Sequence, residues 1–414
     1  MRRVFAATYD GLDADPPLFM LKLKDLRHPL QSAAAARARL DAHLDLRRSV
    51  ERSERRYAAD PRYDLENVTR GFASNSPQAR RVDPVRETAL LWRICTAYRR
   101  AVEDAEHRPS VYRSTDWWQH VRTASLQTVM QALQAGDVDA LRAMYRNFYR
   151  NTCSNGLVDL PADMAKACTS VPIGDLYRRF WLGDALHRID YWSLQLGPSY
   201  ELEDLTGPEI GNPFGVVIDE ALIRTGSPYQ HYCAHRVIQQ LPHQPAAVAE
   251  IGAGYGGMAY YLLRDRSRLT YLSFDLPESL ALTAYYLSSA YPSLTFLLYG
   301  EAELTTKTMQ QADVVLMPPF ELPKLPSKSV DVSFSSCAIS DLSQASMSEY
   351  MKILSRSTKN CFLEIGSNDA VHSLSEIILY NKLPLRLIET RLSDWNRYRY
   401  THTAETECLF RCDQ

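Results

Sequence analysis

The stretch Ala246-Ala-Val-Ala-Glu-Ile-Gly-Ala-Gly-Tyr-Gly-Gly257 constrains the fold more than any other part of the chain. A short apolar run, a loop with four glycines and an apolar helix candidate, Met258–Arg264, follow one another without a break. Glycine lets the backbone turn sharply and approach a ligand closely, because no Cβ stands in the way. The helix behind such a loop offers unpaired N–H groups to whatever lies in front of it. Glycines 252, 254 and 257 also satisfy the G-x-G-x-x-G spacing of dinucleotide sites, so spacing alone leaves two cofactor classes open.

The pattern around the loop is strand alternating with helix. Leu269–Phe274 is a second apolar run, closed by Asp275. Pro277 and Glu278 suit the first turn of a helix that should end near Tyr291-Pro292. Further strand candidates are Leu294–Leu298, Asp313–Met317, Val330–Ser335 and Cys361–Ile365, with Leu385–Glu389 and Thr403–Phe410 for the last strands. Between them Ser346-Met-Ser-Glu349 reads as a capping box opening a helix. This predicts an α/β fold in residues 241–414: a doubly wound, mostly parallel Rossmann-like sheet.

The preceding residues read as mostly α-helical. The mixed charges between Arg37 and Arg56 suit a solvated helix, within a polar extension over residues 1–85. Leu91, Ile94, Tyr98 and Ala101 recur at helical spacing in a run that ends at His107-Arg-Pro109. A second helix is expected from Asp137 to Asn151, with Arg142, Arg146 and Arg150 in a stripe that either faces water or lines a substrate cleft. Residues 171–200 look helical, and after the turn formers of 206–215 a further helix should run through Tyr232 to Leu241. Nothing in 86–240 reads as a strand array, so that region is expected to form a substrate-binding lid.

Composition excludes some classes. The 414 residues carry 45% hydrophobic and 23% charged residues with a net charge of −2, which gives no reason to expect nucleic acid or an anionic membrane as partner. Eight scattered cysteines without a C-x-x-C pair, and a start without a long apolar run, suit a cytoplasmic protein with free thiols.

Glu250 bears on the choice of cofactor. It stands two residues before Gly252, where a dinucleotide site usually keeps an apolar residue. A carboxylate there crowds a pyrophosphate and suits the ammonium of a methionine moiety. With Gly256 the loop becomes E-x-G-x-G-x-G, which resembles motif I of class I methyltransferases. Several further stretches resemble the sugar O-methyltransferases of antibiotic and polysaccharide gene clusters: Arg146-Asn-Phe-Tyr-Arg-Asn151, Gly211-Asn-Pro-Phe-Gly215, Tyr229-Gln-His-Tyr-Cys-Ala-His235 and Phe274-Asp-Leu-Pro-Glu278. The likeness runs over roughly residues 140–365. It departs at Asp341, where that family tends to carry a glutamate.

The resemblance implies S-adenosyl-L-methionine as cofactor, held by Glu250, Gly252, Ala253, Gly254, Tyr255, Gly256, Asp275 and Leu276. Met317 and Phe320 would form an apolar slot for the adenine. It implies a glycosylated small molecule as acceptor, and a homodimer. A sugar hydroxyl needs a base, and His231 and Asp341 are the candidates. Arg146, Asn147 and His235 are candidate substrate contacts. Tyr255 either lies against the sulfonium or packs. His231 and His235 share a helix face, but without a matching carboxylate no metal is expected. An NAD(P)-dependent oxidoreductase or epimerase, a non-catalytic binding module and a non-sugar acceptor stay open beside this reading.

Overall fold

The computed structural model describes residues 29–73, 83–158, 173–243, 245–367, 374–398 and 405–412. Among these, the first elements are helices: α1 (Pro29–Tyr57), α2 (Leu65–Phe72), α3 (Pro84–Ala105), α4 (Asp116–Val121), α5 (Gln127–Ala135), α6 (Val138–Tyr145) and α7 (Ile173–Leu196). The charge-laced run from Arg37 lies on α1. In α3 the Asp83 side chain caps the start, Pro84 occupies the first turn, and Leu91, Ile94, Tyr98 and Ala101 are the buried stripe.

Two features of this half differ from expectation. The helix opened by Asp137 ends at Tyr145, because Asn147 leaves helical geometry (φ −130°) and the chain continues in 3-10 turns. Tyr149 N–H then donates to Gly211 O (3.0 Å), and Arg150 donates to the carbonyls of Phe72 and Asn212. Strands β1 (Gly215–Ile218) and β2 (Ala221–Arg224) form an antiparallel hairpin where only an apolar stretch was foreseen. It leads into α8 (Ser227–Ile238).

The remaining elements are β3 (Ala246–Ile251), α9 (Gly257–Asp265), β4 (Leu269–Phe274), α10 (Pro277–Ala290), β5 (Phe296–Leu298), α11 (Thr306–Gln311), β6 (Val314–Met317), β7 (Val330–Ser336), α12 (Gln344–Ser357), β8 (Thr358–Ser367), α13 (Leu374–Tyr380), β9 (Leu385–Ser393) and β10 (Glu405–Cys412). The capping of α12 is corrected: Ser343, not Ser346, stands at its N-cap and accepts the Ser346 N–H (3.2 Å). The sheet runs β5-β6-β4-β3-β7-β8-β10-β9. Its strands are parallel except β10, which is antiparallel to both neighbours. This is the expected doubly wound, mostly parallel Rossmann-like sheet behind a mostly helical N-terminal region.

Successive strand residues serve opposite faces. Val248, Tyr271 and Val332 enter a core shared with α3, α7 and α8, whereas Ala249, Leu272 and Val315 enter one shared with α12. Burial on both faces is why these strands read as continuous apolar runs rather than alternating ones. The strand order reverses at β3, which neighbours β4 on one side and β7 on the other. The crevice beyond the carboxyl ends of strands at such a switch point is where doubly wound sheets hold ligands. No helix among the described residues is long and apolar enough to cross a membrane.

Candidate active site

The loop after β3 is shaped by three left-handed residues. Gly252 (φ 78°), Gly254 (φ 60°) and Gly256 (φ 88°) occupy a region that side-chain-bearing residues rarely adopt. There is also no room: a Cβ on Gly252 would stand 2.2 Å from the Ala338 Cβ, and one on Gly254 3.3 Å from the Leu157 carbonyl oxygen. Thr283 Oγ1 of α10 donates to Gly254 O (2.7 Å) and holds the loop from the other side.

Asp275 sits at the end of β4, facing the loop. Its Oδ2 accepts the Gly254 N–H (2.8 Å) and its Oδ1 the Leu276 N–H (2.6 Å). A carboxylate oxygen accepts more than one hydrogen bond, so both retain capacity toward hydroxyls in front of them. Burial raises Asp275 to about 7, against the opposing pull of those two N–H groups. Glu250, 3% exposed, accepts the Tyr271 hydroxyl. Burial raises it to about 8, Tyr271 opposes the rise, and the charge of Asp275 adds to it. Among the described residues no arginine or lysine side chain bonds to residues 250–257. Neither Glu250 nor Asp275 has a directly bonded cation among the described residues, a setting that favours a cationic ligand over a diphosphate.

The helical half closes one side of this cleft. Glu278, buried just after Asp275, accepts the Trp118 Nε1–H of α4 (2.8 Å), and the Arg122 guanidinium lies 3.1 Å from it. A Cβ on Gly156 would stand 2.9 Å from the Trp118 ring, so the 156–157 turn and α4 pack together over the glycine loop. Trp118 carried no motif that singled it out in the sequence, and Glu278 was noted there as a first-turn acid and the end of the Phe274–Glu278 stretch, not as the partner of a tryptophan.

Three expected cofactor contacts have other surroundings. The Tyr255 side chain turns inward: its hydroxyl accepts from Tyr149 (2.9 Å) and donates to Gln230 Oε1 (2.9 Å), and its ring meets Phe148, Tyr149 and Tyr286. Met317 is buried in the sheet core, and Phe320 packs against Tyr299 and the Arg108 guanidinium. Both side chains are buried in the core on the α12 side of the sheet, Met317 at 1% and Phe320 at 6% exposure. Ala253 accepts the Gly256 N–H within the loop (3.0 Å), and the Leu276 N–H donates to the Asp275 carboxylate.

The candidate acceptor residues separate in space. His231, 2% exposed, takes the Trp192 Nε1–H on Nδ1 (3.0 Å), and its Nε2 lies 3.4 Å from Asp265. Asp265 ends α9, about 12 Å along the helix from the glycine loop at ~1.5 Å per residue. The rings of Trp192, Tyr200 and Tyr261 enclose it, so His231 is a packed residue and not a base facing the cleft. His235 bonds to Tyr200 and Gln239. Arg146 pairs with the buried Glu87 (2.6 Å), as does Arg142, while Asn147 bonds to Asn212 (3.1 Å). The stripe thus ties helices together.

Asp341, by contrast, is exposed on the 3-10 turn that follows β7, at the switch point. That turn starts at Cys337, held left-handed (φ 56°), and reaches Gly252 through Ala338. Beneath it lies Glu364 of β8, which accepts the Ser340 N–H (3.3 Å) and which burial raises to about 8. Glu364 was missed, although, like Glu250, it is a lone acid inside an apolar strand run. Among the described residues no three His, Cys, Asp or Glu side chains converge to hold a metal ion.

No protein-family model matches the sequence, and no curated protein matches it. Solved structures to which the chain is similar include the cyclase SpnF, at 10% identity over 46% of this chain and 82% of that one (TM-score 0.34). Another is a magnesium protoporphyrin IX methyltransferase from Synechocystis PCC 6803 with bound SAM, at 10% identity over 54% and 90% (TM-score 0.33). A SAM-dependent methyltransferase from Aquifex aeolicus is 15% identical over 44% and 92% (TM-score 0.30). Likeness this low says nothing of chemistry or substrate, and the fold stands on the strand order and register given above.

Proposed function

We propose that this chain is an S-adenosylmethionine-dependent O-methyltransferase whose acceptor is a hydroxyl of a sugar or glycosylated small molecule. The observation that carries the cofactor is the charge of the cleft. Glu250 and Asp275 lie at a glycine loop, and among the described residues no arginine or lysine side chain bonds to either acid or to the loop. The residues fit the group: Asp275 has acceptor capacity for two ribose hydroxyls, Glu250 suits an ammonium, and Gly252 and Gly254 leave the backbone bare. When bound, the cofactor supplies an electrophilic methyl on a sulfonium. The protein's part is to hold the acceptor oxygen in line behind it, which accounts for much of the rate in such reactions.

Asp341 is the residue best placed to take the acceptor's proton, being exposed on the turn that touches Gly252. The stretches that resemble sugar O-methyltransferases favour a sugar hydroxyl. An oxidoreductase or epimerase would call for a catalytic pair such as tyrosine and lysine after β7, where Tyr350 and Lys352 stand; that reading finds less support, since Tyr350 is buried against Tyr112 while Lys352 is exposed. Calorimetry with S-adenosylmethionine, S-adenosylhomocysteine, NAD and NADP tests the proposal on the wild type and on Asp275→Ala. Micromolar binding of the sulfur nucleosides, lost in the variant, supports it. Preference for NAD(P), or no binding of the sulfur nucleosides, overturns it.

A further inference from the structure

The sheet ends at β9, and six of that strand's nine residues are exposed. Among them are Leu387, Ile388 and Leu392 (63% exposed), and the end of α13, which precedes β9 in the chain, exposes Leu379 (79%) and Tyr380 (87%). Natural sheets normally cover such an edge, shorten it or set unpaired charges along it, because its free N–H and C=O groups invite another strand. Grouped exposed aliphatic side chains mark an interaction surface more often than chance.

We propose that the chain forms a two-fold homodimer in which β9 pairs antiparallel with β9 of a second copy, centred on Thr390. A two-fold axis normal to the sheet keeps each face on its own side, so only registers centred on a residue are possible. Centring on Glu389 sets glutamate against glutamate, and centring on Arg391 sets arginine against arginine. Like charges directly opposite each other are unfavourable. Centring on Ile388 places the axis on a β-bulge, since Glu389 faces Leu409 while Leu387 faces Phe410. With Thr390 at the axis, Glu389 meets Arg391 of the second copy, twice, and Ile388 meets Leu392, also twice.

The side chains are poised for this. Arg391 is exposed and already bonds to Glu389 of its own chain, and Glu389 also accepts from the buried Arg236 (2.9 Å). A second arginine arriving from the partner would share a carboxylate that is fixed in place. The bulge bounds the ladder at residue 388, and the Tyr191 hydroxyl, which donates to the Leu392 carbonyl (3.5 Å), bounds it at residue 392.

Sedimentation equilibrium of the full chain tests the proposal, the expected mass being twice 47.1 kDa. Leu392→Lys and Arg391→Glu should each weaken the dimer by about tenfold or more, because each change acts twice across the axis. Circular dichroism checks that the variants remain folded. The register is read by cross-linking Thr390→Cys in a Cys408→Ser background, Cys408 being the residue opposite Thr390 in the same chain. Mild oxidation should give a covalent dimer at position 390. Arg391→Cys in the same background should not cross-link, since that register leaves the two cysteines too far apart for a disulfide. A monomer at ~100 μM concentration, far above typical affinities for a specific dimer, overturns the proposal. So does a dimer that ignores Leu392→Lys and fails to cross-link at position 390.

Discussion

The Gly254 N–H donates to the Asp275 carboxylate at 2.8 Å, tying the loop after the first parallel strand to the end of the second. The acid proposed to take the ribose and the backbone proposed to face the cofactor are therefore set relative to one another by the protein itself. Asp275→Asn should keep the fold but lower affinity for S-adenosylhomocysteine by about 10- to 100-fold, the range for a charged hydrogen-bond partner. Calorimetry reads this directly, and an unchanged affinity would remove Asp275 from the site.

Binding should depend on pH in a defined direction. Burial raises Asp275 to about 7 and Glu250 to about 8, so near pH 6 both carboxyls are largely protonated. A cationic ligand favours their ionised forms, so its binding expels protons. Affinity for S-adenosylmethionine should rise from pH 6 to 8, by up to about tenfold per pH unit for each proton released, and level off above. The same shifts make the unfolded chain ionise first, so these two acids remove stability as pH rises from their unfolded values near 4 toward 8. Titration in buffers of different ionisation enthalpy counts the protons released; a count of zero would contradict the charge argument.

Gly252 offers a test of the loop's geometry. Gly252→Ala meets both a left-handed backbone and the Ala338 Cβ at 2.2 Å. The variant should lose roughly 1–3 kcal/mol of stability together with cofactor binding. Ala338→Gly in the same chain removes the clash but not the backbone strain, so it should restore only part of the thermal midpoint. Full restoration would mean that the left-handed conformation is not required.

The sheet was legible because its strands are buried on both faces and read as unbroken apolar runs. The hairpin of β1 and β2 was not. Its two turn residues, Asp219 (φ 48°) and Glu220 (φ 63°), are both left-handed, a turn that sequence usually announces with Asn-Gly. The helix from Asp137 looked longer than it is because Tyr149 and Arg150 keep helical spacing while bonding instead to the 211–213 segment. At the site, the glycines and Asp275 were readable since backbone conformation dictates them. The orientations of Tyr255, Phe320 and His231 were not, because each depends on a partner distant in sequence: Tyr149, Arg108 and Trp192.

Glu87 is the anchor of the arginine stripe. Buried, it accepts from Arg142 (3.1 Å), Arg146 (2.6 Å) and the Tyr285 hydroxyl (2.9 Å). Glu87→Ala should destabilise the chain by about 3–5 kcal/mol, as when one partner is removed from a buried ion pair. Arg146→Gln should cost less, since Arg142 remains, and should leave the acceptor KM unchanged if its role is to hold the helices. Denaturant unfolding beside steady-state kinetics separates these outcomes, and a raised KM at full stability would return Arg146 to the substrate.

The identity of the base divides two residues that the sequence placed side by side as candidates. His231→Gln keeps an acceptor for the Trp192 N–H, so it should lose no more than about 1–2 kcal/mol of stability and leave kcat within a few-fold. Asp341→Asn keeps the shape of the turn but removes a proton acceptor, and kcat should fall by about 10²–10⁴-fold. Cofactor affinity should stay unchanged, because Asp341 acts on the acceptor side. Once an acceptor is found, single-turnover methyl transfer with both variants decides the matter. If His231→Gln is the variant that loses the chemical step, the enclosed histidine must swing out during turnover; if Asp341→Asn is, the turn that touches Gly252 carries the base.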